Sequence, residues 1–317
     1  MINKIGIVGG GNIGGVLVSE IVGRRLARNV GLVDVKAPEF AKGKCLDIAE
    51  ATPVYGVDCN VQGSKTYEVL AGADFVINTA GVPRTMRPDG TFPSRDELLA
   101  INLKITDLVA AGIKQYAPNA FVISIANPLD AIVYRLFKKL KFKKNKIMGM
   151  AGVLDSARYK YFVAEAAGVS VENVEAVVLG GHGDTMVPIR SASRIYGLPV
   201  EQFVSKVKLE KIEKRTRGAG GEVVSLLGSG SAFVSPAVSA LEMVEAIAFD
   251  KKKIVPVAAY LEGEYGVKGL FVGVPVLLGK DGIEKIIKIK LTPEEKKALR
   301  HSVNAVKKTS AEVDKTK

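Results

Sequence analysis

Tryptophan is absent from this chain, histidine and cysteine occur twice each, and aromatic residues make up 6% of its 317 positions. Each shortage removes a class of function. Cys45 and Cys59 are too few for a disulfide framework and lack the CxxC spacing of a metal site, so they read as reduced structural thiols. His182 and His301 leave no histidine cluster, and no metal is expected. No apolar run approaches the length of a bilayer span. The start is not signal-like either: Lys4 leads through Ile5, Gly6, Ile7 and Val8 straight into glycines. The expectation is a cytoplasmic protein with no membrane partner.

What is present is charge and apolar bulk. The net charge of +12 raises nucleic acid as a partner. The lysines are scattered, however, and the densest group (Lys138, Lys139, Lys141, Lys143, Lys144 and Lys146) follows an apolar helix, with only Phe137 and Phe142 as aromatics. It reads as a solvated helix end, and no nucleic-acid partner is expected. A positive field suits an anionic small molecule instead. With 47% apolar residues, the chain can bury a large core.

The N-terminal half alternates short apolar runs with amphipathic stretches, the mark of βαβ units. Strands are expected at Lys4–Val8, Val30–Val33, Phe75–Asn78, Phe121–Ile125 and Ile147–Met150, with helices at Ile13–Gly23, Leu98–Tyr116 and Asp130–Leu140. The second half suggests strands at Val174–Leu179 and Lys253–Leu261. Its helices are expected around Leu209–Leu227 and Ala237–Ala248, with another opening at Pro293. The fold class is therefore α/β: an N-terminal Rossmann-type doubly wound parallel sheet over residues 1–150, then an α+β substrate domain over 151–317.

Gly9, Gly11 and Gly14 form GxGxxG between the first strand and a helix. The first glycine allows a tight turn, the second lets backbone approach a pyrophosphate, and the third permits close helix packing. Asp34 ends the second strand, where a carboxylate accepts hydrogen bonds from ribose hydroxyls and repels a 2′-phosphate. The expected cofactor is NAD.

Further segments lie where strands end: Asn78 to Arg84, Ala126-Asn127-Pro128, Leu154 to Arg158, and Gly180-Gly181-His182-Gly183-Asp184. Asp155 and Arg158 are three apart, on one helix face. Hydride exchange between a hydroxy acid and NAD also moves a proton, for which histidine is suited near neutrality. A carboxylate partner raises its pKa, and arginine binds a carboxylate bidentately.

The motifs GVPR…SRDELL, ANPLD, MAGVLDSAR and GGHGDTMVP resemble the lactate/malate dehydrogenase family, in its lactate-dehydrogenase-like malate dehydrogenase branch, over almost the whole chain. That resemblance implies His182 as proton donor and acceptor, Asp155 as its partner, and Arg158 as the clamp on the substrate's C1 carboxylate. Arg95 would polarise the carbonyl, Asn127 would touch substrate and nicotinamide, and Arg84 would face a second carboxylate. Asn12, Ile13, Thr79, Ala80, Gly81 and Asn102 join the glycines, Asp34 and Asn127 as expected cofactor contacts. The family also implies a homotetramer or homodimer and a place in the tricarboxylic acid cycle.

One stretch departs from the family. Thr85 to Ser94 separate the loop arginines, about four or five residues more than the branch usually has, with Pro88, Asp89, Gly90 and Pro93 suggesting turns. The extension resembles the insertion of apicomplexan lactate dehydrogenases and makes Arg87 an alternative to Arg84. An arginine facing no carboxylate in a closed site excludes pyruvate; a loop that lets it swing out admits pyruvate. Malate and oxaloacetate are the expected substrates, with side activity on lactate and pyruvate. A dedicated L-lactate dehydrogenase and a non-catalytic NAD-binding sensor remain the alternatives.

Overall fold

A computed structural model describes residues 1–36, 39–83, 94–228 and 230–316, with the Arg95 side chain excepted. Six parallel strands come first: β1 (Ile2–Val8), β2 (Ala27–Val33), β3 (Asn60–Ser64), β4 (Phe75–Asn78), β5 (Phe121–Ser124) and β6 (Ile147–Gly149). Short strands β7 (Val174–Glu175), β8 (Val178–Leu179), β9 (Val187–Pro188), β10 (Arg194–Ile195) and β11 (Leu198–Pro199) follow. The chain then forms the long antiparallel strands β12 (Lys253–Glu262) and β13 (Lys268–Gly279) and the shorter β14 (Gly282–Ile286). The helices are α1 (Asn12–Gly23), α2 (Phe40–Tyr55), α3 (Arg95–Tyr116), α4 (Leu129–Leu140), α5 (Gly152–Ala167), α6 (Lys206–Leu227), α7 (Val234–Ala248) and α8 (Pro293–Lys315).

One nine-stranded sheet dominates, in the order β14-β13-β12-β6-β5-β4-β1-β2-β3. Helices cover both faces, which is why β1, β2, β4 and β5 read as near-continuous apolar runs. Along β1, Ile5 and Ile7 face the α1 and α7 side with Leu17, Ile21, Leu241 and Val244. Val8 faces the α3 and α4 side with Leu103, Ile113, Ile132 and Leu136. The α/β class read from the sequence is the one observed.

Strand order reverses between β1 and β4, so the loops after them diverge and leave a crevice at the carboxyl edge. The expected boundary near residue 150 falls between β6 and α5. The sheet nevertheless crosses it, because β12 pairs antiparallel with β6 at Ala258 and Gly149.

Some elements differ from expectation. Val174–Leu179 is not one strand: β7 pairs with β10, while β8 pairs with β9 in another sheet. Val174 and Val178 both pack with Tyr159 and Phe162, while Leu179 turns to a separate cluster with Val187 and Ile189 as the chain leads into the His182 turn. The helix α2 and strand β3 carry little patterning, since α2 buries only Ala41 and Cys45 and contains Pro53, and β3 is a polar edge strand. The C-terminal helix opens as expected. Pro293 stands in its first turn, and the Thr292 hydroxyl accepts from the Glu295 amide at 3.2 Å.

The lysine group also has a physical account. Lys138 pairs with Asp314, Lys139 with Asp107 at 3.1 Å, and Lys144 with Glu262, while Lys146 donates to the Asn119 carbonyl. Beneath them, buried Arg135 makes two 2.7 Å bonds to Asp107 and reaches the Thr316 carbonyl at 2.8 Å. Through Asp314 and the Thr316 carbonyl these bonds dock the end of α8 on α4, and through Asp107 they tie α4 to α3.

Candidate active site

The crevice is built from glycines whose missing side chains have visible reasons. Gly9 has φ +103°, and a Cβ there would lie 2.5 Å from Thr79 Oγ1. A Cβ at Gly14 would lie 2.0 Å from the Gly9 carbonyl oxygen, so only glycine lets α1 start this close to β1. At Gly11 nothing lies within 4 Å, which leaves open space where a ligand's backbone-facing groups would go. Gly11 is also the N-cap of α1, with no side-chain cap and no acidic residue in the first turn. The amides around Asn12 and Ile13 therefore point their positive dipole end at that space.

Asp34 is 7% exposed. Its Oδ2 accepts the Gly10 amide at 2.6 Å and its Oδ1 the Lys36 amide at 2.8 Å, which orients the carboxylate at the end of β2. Lone pairs remain on both oxygens for a diol. On the β4 side, the Thr79 hydroxyl donates to the Val8 and Gly9 carbonyls, and the Ala80 amide donates to Asn78 Oδ1. Gly81 follows, with a Cβ position 3.4 Å from Asn102 Oδ1. Asn102 itself is a buried strut: it bonds the Val82 amide and carbonyl at 2.7 and 3.1 Å and the Asn127 carbonyl at 3.0 Å. It ties the loops after β4 and β5 together, and Asn127 stands exposed at the mouth. Open amides, a buried acid and a cleared approach fit a dinucleotide.

The candidate groups His182, Asp155 and Arg158 stand at the same sheet edge. Asp155 lies in the first turn of α5, where the helix dipole favours its negative charge, and its side chain is 3% exposed. Its Oδ2 meets His182 Nδ1 at 2.7 Å, and its Oδ1 lies 3.4 Å from Arg158 Nη1, one turn on. His182 and Arg158 are each 15% exposed, enough to meet a small ligand while their stems are fixed. Burial alone would lower the His182 pKa, but the Asp155 charge and hydrogen bond, helped by Asp130, hold it above the ordinary imidazole value. Burial weakens the Arg158 cation against the opposing pull of Asp155, yet guanidinium stays charged at any working pH.

The histidine turn is clamped from three elements. Asp130 Oδ2 in α4 accepts the His182 amide at 2.9 Å, Ser302 Oγ in α8 accepts the Gly181 amide at 2.9 Å, and Ser156 Oγ in α5 accepts the Val178 amide at 2.9 Å. Sequence reading missed these groups. Asp130 stood in the ANPLD motif without a role, and nothing in the sequence links Ser302 to a turn 121 positions away.

Arg84 and Arg87 lie outside the described residues. Arg95 opens α3 behind the N-cap Ser94, whose hydroxyl accepts the Glu97 amide at 3.1 Å. Among the described residues no cluster of three His, Cys, Asp or Glu groups is placed to hold a metal, and no helix is long and apolar enough to cross a membrane.

Comparisons with known proteins agree along the whole chain. The family model described as the lactate/malate dehydrogenase NAD binding domain matches residues 3–149. The model of the alpha/beta C-terminal domain of the same family matches residues 152–316. Malate dehydrogenase 1 of Anaeromyxobacter dehalogenans is 50% identical over 311 residues, 98% of this chain and 97% of that protein. The structure of Cryptosporidium parvum malate dehydrogenase superposes with a TM-score of 0.94 at 39% identity, covering 99% of this chain and all of that one. The lactate dehydrogenase of the same organism, solved with lactic acid and nicotinamide adenine dinucleotide, gives 0.93 at 40%, covering 99% and 98%.

Proposed function

The chain belongs to the lactate/malate dehydrogenase family, and from that premise we propose that it is an NAD-dependent malate dehydrogenase interconverting malate and oxaloacetate. The observation that carries the reading is the 2.7 Å contact of His182 Nδ1 with buried Asp155, beside Arg158 and at the same sheet edge as the glycine crevice. NAD supplies the hydride carrier for this reaction. The protein's own residues handle the proton and the substrate charge.

With Nδ1 committed to Asp155, Nε2 is the ring nitrogen free to act. As imidazolium it gives its proton to the carbonyl oxygen of oxaloacetate, and as imidazole it takes the proton from the malate hydroxyl. Asp155 stabilises the charged state and holds the tautomer. Arg158 takes the C1 carboxylate and Arg95 the carbonyl oxygen, while Arg84 or Arg87 faces the second carboxylate. Asn127 contacts substrate and nicotinamide. Gly9, Gly11, Asn12, Ile13, Gly14, Asp34, Thr79, Ala80 and Gly81 form the dinucleotide cradle, with Asn102 holding its loops. Residues 1–150 are assigned to the nucleotide-binding unit and 151–317 to the substrate unit, in a cytoplasmic homodimer or homotetramer.

A second reading, side activity on lactate and pyruvate, is favoured by the 40% identity to a lactate dehydrogenase and by the long Thr85 to Ser94 segment. The test is the loss of NADH absorbance. Oxaloacetate is expected to drive it rapidly, and pyruvate slowly but measurably. Failure of oxaloacetate with pyruvate active would reverse the substrate assignment, and undetectable pyruvate reduction would remove the side activity. Replacing Arg84 or Arg87 singly by Gln should raise the oxaloacetate KM for whichever selects the dicarboxylate, by about tenfold or more for a lost charged contact worth 1.5–3 kcal/mol.

A further inference from the structure

Asp130 closes on the His182 turn and adds its charge to that of Asp155, yet no step of the reaction above is assigned to it. It lies in the first turn of α4, and its Oδ2 accepts the backbone N–H of His182 at 2.9 Å. Its Oδ1 is sealed from solvent and has no hydrogen-bond partner among the described residues, although the residue as a whole is partly exposed. A sealed, unpaired carboxylate oxygen is costly to keep. An acceptor for a backbone amide does not require it, since Ser302 performs that task for the adjacent Gly181 amide with a neutral hydroxyl. The fold even clears room for the carboxylate, because a Cβ on Gly181 would lie 3.1 Å from Asp130 Oδ2 and 2.6 Å from Val306 Cγ2.

We propose that Asp130 is a positioning residue that sets the basicity of His182 as a second carboxylate alongside Asp155, favouring the imidazolium when anionic and releasing it when protonated. The proposal rests on the reading of His182 as the proton carrier.

The charges acting on Asp130 are those of His182 and Asp155, and those acting on His182 are Asp155, Asp130 and Arg158. From α8 the turn meets Ser302 and Val306, which do not titrate in the working range. Burial pushes the Asp130 carboxyl up to about 6 against the pull of His182. Two groups so placed titrate as a pair. Above that value the Asp130 charge holds the imidazole proton more tightly; below it the hold weakens. An amide at position 130 lacks the charge at every pH.

The imidazole can be read directly, because the chain has two histidines and His301 is exposed on α8. In full-length protein with isotope-labelled histidine, the spectrum of His301→Gln assigns His182. The His182 titration is expected to show a minor inflection near pH 6 besides its main transition. In Asp130→Asn the inflection disappears and the main transition moves down by about half a unit, a threefold change in the protonated-to-neutral ratio. The alkaline limb of oxaloacetate reduction should move with it while the KM for NADH holds, which a purely structural acceptor would not produce. Superposable His182 titrations in wild type and Asp130→Asn overturn the proposal. If Asp130→Asn does not fold, a wild-type titration without the inflection overturns it. The titration needs no substrate, so an enzyme inactive on oxaloacetate would count against the proposed function without touching this result.

Discussion

At the residue scale, the 2.7 Å contact between His182 Nδ1 and Asp155 Oδ2 would, in the proposed reaction, make one charge the switch for both directions. Asp155 and Asp130 raise the His182 pKa against the burial that lowers it. Oxaloacetate reduction consumes the imidazolium, so its rate is expected to persist above the ordinary imidazole range and then fall as pH rises through the raised value. Malate oxidation needs the neutral base and should rise through the same interval. Asp155→Asn keeps the shape and removes the charge. It is expected to lower kcat for reduction by about 10²–10⁴-fold, the usual contribution of a positioned proton carrier. The NADH dissociation constant, read by fluorescence, should stay within about twofold, the variant removing no group of the nucleotide cradle. An unaltered kcat would take Asp155 out of the relay. Motif residues at this scale were legible in the sequence because the chemistry restricts the residue type at each position. The clamp residues were not, since Ser and Asp in helices are commonplace and only their distant contacts distinguish them.

At the element scale, the His182 turn is held by α4, α5 and α8, whose contributions to it come from widely separated parts of the chain. Ser302→Ala leaves the buried Gly181 amide without its acceptor. A loss of about 1–3 kcal/mol in denaturant unfolding is expected, with a lowered kcat from a looser turn. Unchanged unfolding would mean that another group satisfies the amide. The strong helices α1, α3, α4 and α8 could be read from periodicity and caps. By contrast, α2 and β3 were hidden because each buries few side chains, and β7 and β8 because an uninterrupted apolar run does not show where it bends.

At the scale of the whole molecule, the two halves share a sheet and a core. Residues 1–150 alone would bare the edge of β6 that β12 covers, and the side of α1 where Leu17 and Ile21 meet Leu241 and Val244 of α7. The isolated segment is therefore expected to aggregate on expression, as judged by sedimentation. A soluble, protease-resistant 1–150 fragment that binds NADH would instead show that it folds on its own.

The sequence by itself determined the α/β class and the cofactor and singled out His182, Asp155 and Arg158 as the candidate group that the fold brings together, because glycine geometry, strand periodicity and proton chemistry each restrict residues locally. Only the tertiary structure decided which distant groups hold the histidine and how the halves join. Asp130, Ser302 and β12 act through contacts across 52, 121 and 109 positions (Ala258 to Gly149), and residue patterns do not encode which remote surface a helix or strand will meet.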